Sequence, residues 1–230
     1  MASGPIAGKP ERWTRALLRC GLAAGPVFIT TFLVEGAIRD DGYRPRRHPV
    51  SALALGPRGW TQAANFTVTG TLFLAGAAGL GRAGDAGPLV PVLVGAAGAG
   101  LISAAMFPTD PVGGYPPGTS LLPSPPTRTG TAHNLAAVPV FIGLPIAALA
   151  CGGRSWRTGQ RGFGRYSAGT AVTMLATMAL AGAGFGGSPE TAPRLVTMGG
   201  LFQRASIISG FTWLTALSAR ALHETRGSHG

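Results

Sequence analysis

Apolar and small residues fall into six runs of about 20 residues each, separated along the 230-residue chain by short polar stretches. The runs cover 20–38, 60–80, 88–107, 132–151, 166–186 and 197–219. A run of that length crosses the hydrocarbon core of a bilayer as one helix, the form in which a single segment satisfies all its own backbone polar groups. The pattern therefore predicts an all-α fold, an integral membrane bundle of six transmembrane helices. A charged loop over 39–59, a Gly-rich turn over 81–87 and a Pro-rich loop over 108–130 connect the first four. An Arg-rich loop over 152–165 and a short loop over 187–196 connect the rest. This organisation gives a cytoplasmic N-terminal segment at 1–16, a six-helix domain at 17–220 and a polar, disordered C-terminal tail at 221–230.

Composition agrees with that pattern. Hydrophobic residues make up 46% of the chain and charged residues 12%, the latter about half the share in an average soluble domain. Such a chain has too little polar surface to coat a water-soluble globule. The 37 glycines suit membrane helices that pack through small residues, and Gly21 with Gly25, Ala96 with Gly100, and Gly182 with Gly186 stand at the spacing that allows close approach. Pro139 and Pro145 lie inside the fourth run, where they are expected to kink the helix and free backbone carbonyls.

The net charge of +11 comes mostly from arginines at the ends of apolar runs. Anionic lipid headgroups are their expected counterions, so membrane lipids are the expected partners. Nucleic acid is not, because no basic stripe is interleaved with aromatic residues. Lys9, Arg12, Arg15, Arg19, Arg82, Arg154, Arg157, Arg161, Arg165, Arg220 and Arg226 fall on one side of the predicted bundle. Arg39, Arg44, Arg46, Arg47, Arg58, Arg128 and Arg194 fall on the other. The excess places both termini in the cytoplasm, for a multi-pass protein of the bacterial cytoplasmic membrane. The basic N-terminus resembles the start of a signal peptide, but the run over 21–38 is longer than a usual signal core and ends without a convincing cleavage site. A retained first helix is expected. Cys20 and Cys151 both come at cytoplasmic helix ends, where a structural disulfide is not expected.

Ionisable groups in or beside membrane spans are costly and draw a functional reading by default. Glu35, Gln62, Asn65, Asp110, His133, Gln203 and Arg204 all fall in the extracytoplasmic half of the predicted bundle. Such a coincidence predicts a polar pocket open to that side, with Glu35, Asp110, His133 and Arg204 neutralising one another. Each also has a structural reading. Glu35 and Arg39 stand at i, i+4 and form a pair on one helix face. Asp110 precedes Pro111 and suits a turn or helix end, and His133 suits a helix cap. Arg204 lies deepest in its run, and Glu35 or Asp110 is its expected partner.

Several chemistries find no support. The stretch GAGFGG over 182–187 matches a dinucleotide-binding pattern but ends a predicted membrane helix and follows no strand. His48 and His133 alone are too few for a metal site, and neither a nucleophile elbow nor a phosphate-binding loop occurs. No metal and no cofactor is expected.

The segment HPVSALALGPRGWTQAANFTVTG over 48–70, then FPTDPVGGYPPG over 107–118 and the histidine opening the fourth run, resembles a bacterial membrane family catalogued as domain of unknown function 998. The resemblance covers about residues 15 to 220 and implies a multi-pass bundle with no activity to transfer. On matching positions it draws attention to His48, Pro49, Ser51, Gly59, Trp60, Asn65, Asp110, Pro111, Tyr115, Pro116 and His133. Trp60 and Tyr115 suit the headgroup level, and Pro49, Pro111, Pro116 and Pro117 stiffen the loops as a lid or as a protective cover.

Three functions stay open. One is a binding or transport-like protein whose pocket takes a small polar or amphipathic ligand, with Glu35, Asn65, Asp110, Tyr115, His133 and Arg204 as binding residues. Another is an intramembrane enzyme using Glu35 or Asp110 as acid and His133 as base for isomerisation or cyclisation of a lipid-like substrate. The third is a structural or assembly subunit whose polar groups fix helix packing. Oligomeric state is not fixed by the sequence.

Overall fold

A computed structural model describes residues 9–190 and 192–227. The first half of the expected N-terminal segment and the last three residues lie outside the described residues. So do the side chains of Lys9 and Arg226. The described chain is helical: α1 (Lys9–Ile38), α2 (Gly59–Ala83), α3 (Leu89–Met106), α4 (Arg128–Val138), α5 (Leu144–Arg157), α6 (Arg161–Gly186) and α7 (Pro193–Gly227), with a 3₁₀ turn at Val50–Ala54. A π turn at Pro139–Gly143 joins α4 to α5 in one continuous rod. Both prolines expected to disturb this rod are at the disturbance, Pro139 opening the π turn and Pro145 following it. A proline lacks the N–H that a regular ladder needs, and a π turn is one way to accommodate the gap.

Five helices are long and apolar enough to cross a membrane, namely Glu11–Ile38, Gly59–Ala83, Leu89–Met106, Arg128–Arg157 and Arg161–Gly186. The chain is a multi-pass membrane protein. Helix α7, at 35 residues, has the length but not the apolarity, for a physical reason. Gln203, Arg204, Ser206 and Ser218 are all buried, so α7 is polar where the rest of the protein, not lipid, surrounds it. It runs on to Gly227 with Ala221 and Leu222 buried, through most of the stretch read as a polar tail.

Backbone contact sets the helix crossings. A Cβ on Gly70 would come within 2.6 Å of the Gly98 carbonyl oxygen, and one on Gly98 within 2.8 Å of the Gly70 oxygen. Side chains there would force α2 and α3 apart. Gly21 lies against Gly76 where α1 crosses α2. The expected pair Gly182 and Gly186 faces open space; the close contact with α7 is made by Gly184, between them. Phe28, Phe66, Phe73 and Phe211 fill the centre, with ring centroids 4.8 to 5.7 Å apart.

The helices alternate in direction, so the bundle has two ends. Loops 39–58 and 107–127 cover one end. At the opposite end the turns are short, Arg154 donates to the Asp85 carbonyl at 2.8 Å, and Arg220 pairs with Glu224 at 2.9 Å. Below the π turn, α5 packs on both α3 and α6; above it, α4 stays with α3 and makes at most marginal contact with α6 and α7. The bundle is therefore open on one flank near its loop-covered end.

Candidate ligand-binding cavity

The first loop, 39–58, is built around two buried arginines. Arg39 directly follows α1 and turns inward: Nη2 donates to the Leu53 carbonyl at 2.7 Å and the Arg58 carbonyl at 3.1 Å, and Nη1 to Asp41 at 3.2 Å and the Tyr115 hydroxyl at 3.1 Å. Its Nε is 3.6 Å from Glu35, which also accepts from Arg58 at 3.1 Å. Glu35 thus forms the helix-face pair with Arg39 and is shared with a second arginine. Such charge-assisted bonds are stronger than neutral ones, and a guanidinium satisfies several carbonyls at once.

Arg204 clamps the same loop from α7. Nη1 donates to the carbonyls of Pro45, His48 at 2.9 Å and Gly200 at 3.0 Å, while Nη2 donates to the Tyr43 hydroxyl. Its expected partner was Glu35 or Asp110. No carboxylate lies within 4.0 Å of it among the described residues; backbone carbonyls and a phenol are its partners instead. The loop fits so closely that a Cβ on Gly200 would meet the His48 oxygen at 2.3 Å. One residue along, Gln203 Oε1 accepts from the Val50 N–H at 2.8 Å.

Tyr43, His48 and Tyr115 stack between the two clamps, with ring centroids 5.3 to 5.6 Å apart. Burial and the bond it donates to Asp41 push the Tyr115 hydroxyl up to about 12. Burial raises Asp41 as well, but bonds from Tyr115 and Arg39 outweigh it and hold the carboxylate below its usual range. Burial raises Tyr43 against the pull of Arg204. His48 accepts the Arg44 N–H on Nδ1 at 2.9 Å, so Nε2 carries the proton toward the Gly113 carbonyl at 3.3 Å. Burial lowers its pKa to about 4, and nearby Arg47, Arg44 and Arg204 act in the same direction. Tyr115, expected at the headgroup level, is 1% exposed and belongs to this core, whereas Trp60 at 71% is on the surface.

Beneath the second loop lies a cavity of about 590 Å³, within the usual range for ligand pockets. Its walls come from α3 (Leu101, Ala104), from α4 and the π turn (His133, Ala137, Val140, Phe141), and from α6 and α7 (Met178, Gln203, Ile207, Phe211). Its roof is 109–113 and part of 122–126. The lining is mainly apolar, with polar groups concentrated toward the roof. Asp110 accepts from Thr127 N–H at 2.9 Å and from its hydroxyl at 2.6 Å. Thr127 in turn caps α4 by accepting from Gly130 N–H at 3.0 Å, so Asp110 ties the two ends of the loop together. His133 Nδ1 donates to the Phe107 carbonyl at 2.8 Å, joining α4 to the end of α3.

The predicted site residues therefore separate. Asp110 and His133 line the cavity, and Gln203 joins them from α7. Glu35, Tyr115 and Arg204 belong to the clamps of the first loop. Asn65 is buried between α1 and α2, donating to the Phe28 carbonyl at 3.3 Å and accepting from Thr69 at 3.4 Å. Sequence reasoning missed Tyr43 and Asp41, both in a loop with no helical period to mark buried positions, and missed Phe141 and Met178, which read as ordinary membrane-helix residues. The proline pair around the π turn was the available signal for the cavity. Among the described residues no group of three metal-ligating side chains occurs.

The sequence profile of a family described as "Protein of unknown function (DUF998)" matches residues 22–220. No curated protein and no solved structure matches the chain.

Proposed function

The chain belongs to the DUF998 family of proteins of unknown function, and from that premise we propose that it binds a small amphipathic ligand in the cavity beneath its second loop. The observation that carries this reading is the shape and lining of the cavity. It is apolar along the helices, polar under the roof, and adjoins the flank where α4 parts from α6. A ligand dissolved in the bilayer reaches such a site sideways, without first crossing water. Asp110, His133 and Gln203 meet its polar end; Met178, Ile207 and Phe211 meet its apolar end. Glu35, Asn65, Tyr115 and Arg204 act indirectly, by holding the walls and the neighbouring loop.

The reading includes α7 as a sixth span, sheltered from lipid along its polar face. The excess of positive charge at the opposite end supports reading the loop-covered end as facing outward from a bacterial cell membrane. Arg39 and Arg204 do not weigh against this orientation, because both are buried internal cross-links and do not report on the surface. Mass spectrometry of amphiphiles that co-purify in mild detergent tests the proposal. Wild type should retain a defined species, Ala137→Trp should lose it by filling the cavity, and Leu149→Trp, on an exposed face of α5, should keep it. Equal bulk lipid in all three overturns the reading.

A further inference from the structure

We infer that the ligand's head is uncharged and hydroxylated, a class set by the hydrogen-bonding atoms that the cavity has left to offer. This inference rests on the binding role proposed above. Asp110 carries one bond from Thr127 on each oxygen, and an ionised carboxylate has about four acceptor positions, so it accepts further donors. His133 has spent its Nδ1 proton on the Phe107 carbonyl, which leaves the lone pair of the neutral ring on Nε2. Gln203 is fixed the opposite way. A backbone N–H can only donate, so the Val50 contact assigns Oε1 and leaves the amide NH₂ to give.

Two acceptor groups and one donor group thus share one cavity with Ser51, Thr109, Ser124 and Asn134, whose uncharged hydroxyl and amide groups both donate and accept. A hydroxyl, which both donates and accepts, matches this set. An ammonium head cannot accept from Gln203, a carboxylate cannot donate to Asp110, and a carboxylate or phosphate meets the like charge of Asp110. Nor does any Arg or Lys line the cavity. Arg39, Arg58 and Arg204 are engaged elsewhere. Arg47 lies against the roof at Gly113 with its Nε and Nη2 lacking acceptors, and it is the group that an anionic head would recruit.

The test is a binding panel on the wild-type protein in lipid nanodiscs, using four single-chain amphiphiles of equal chain length: a monoacylglycerol, an alkylammonium, a fatty acid and a lysophosphatidic acid. The monoacylglycerol should bind at least about tenfold more tightly than either anion, the equivalent of one uncompensated buried polar contact, and more tightly than the ammonium. Asp110→Asn should narrow the gap to the anions, and Gln203→Leu should weaken the monoacylglycerol. Both variants touch loop contacts, so the wild-type ranking decides. Anions binding as well as the monoacylglycerol, and losing that affinity in Arg47→Gln, would overturn the head-group assignment while leaving the binding role intact. The same holds if the ammonium binds best. Binding of none of the four, together with no defined co-purifying species, overturns both.

Discussion

The two loops that close one end of the bundle are held by opposite means. Loop 39–58 is stitched from below by Arg39 and from the side by Arg204, and its rings pack as tightly as a protein core. Loop 107–127 is tied at its ends through Asp110 to Thr127 and at Tyr115 to the first loop, while residues 121–126 are exposed. A buried guanidinium with several carbonyl acceptors leaves no room for alternatives, whereas a strap held at its ends leaves space beneath it. The polar residues of this end therefore do two jobs, and their kind alone does not tell them apart. Those under the first loop determine whether the end forms at all; those under the second line the cavity.

The strongest challenge to this contrast is Arg204→Met. It keeps bulk but leaves the loop carbonyls and Tyr43 without a donor, and a loss of about 3 to 5 kcal/mol is expected, the range for breaking a buried charged network. Thermal unfolding in detergent measures it; a loss under about 1 kcal/mol, in the range of an ordinary surface substitution, would mean that the loop holds itself. Next comes Gly200→Ala, whose added Cβ meets backbone rather than a yielding side chain. It should cost about 1 to 3 kcal/mol, as overpacking does, and a neutral result would show the loop to be looser than described.

Acid sharpens the same comparison. His48 titrates near 4 in the folded protein against an ordinary 6.5, so the unfolded chain binds the proton more readily. Its contribution is complete above about pH 6.5 and declines as pH falls toward 4. His48→Asn, whose carbonyl oxygen can still accept from Arg44, should flatten melting temperature against pH in that window. An unchanged slope would assign it to another group. At the second loop the effects are smaller: Thr127→Ala removes the α4 cap and should cost about 1 kcal/mol, with ligand binding weakened more than stability. Equal stability loss at Thr127 and Arg204 would erase the difference between the loops.

Much of the architecture was legible because the bilayer imposes length and apolarity on each span. Five helices satisfy both, and α7 escapes the rule since Gln203 and Arg204 point into protein. The position of the cavity was half-written in Pro139 and Pro145. What sequence could not give was the partner of Arg204. A carboxylate announces itself by residue type, but every residue carries a carbonyl, so the acceptors at Pro45, His48 and Gly200 have no signature. Tyr115 misled for a related reason: an aromatic with a polar tip suits a membrane surface and a buried hydrogen bond to Asp41 equally well. The helix-contact glycine was displaced by two residues, from Gly182 and Gly186 to Gly184, because small residues crowd that stretch and only packing selects among them.

Photo-crosslinking from single positions on the α4–α5 rod tests the cavity most directly. A photoreactive residue at Ala137 faces the cavity, and one at Leu149 faces outward from the same rod. The account predicts that Ala137 captures one defined amphiphile in the membrane while Leu149 captures the bulk lipid mixture. The same bulk lipid at both positions would contradict it, leaving the space beneath the second loop as an unoccupied gap between helices.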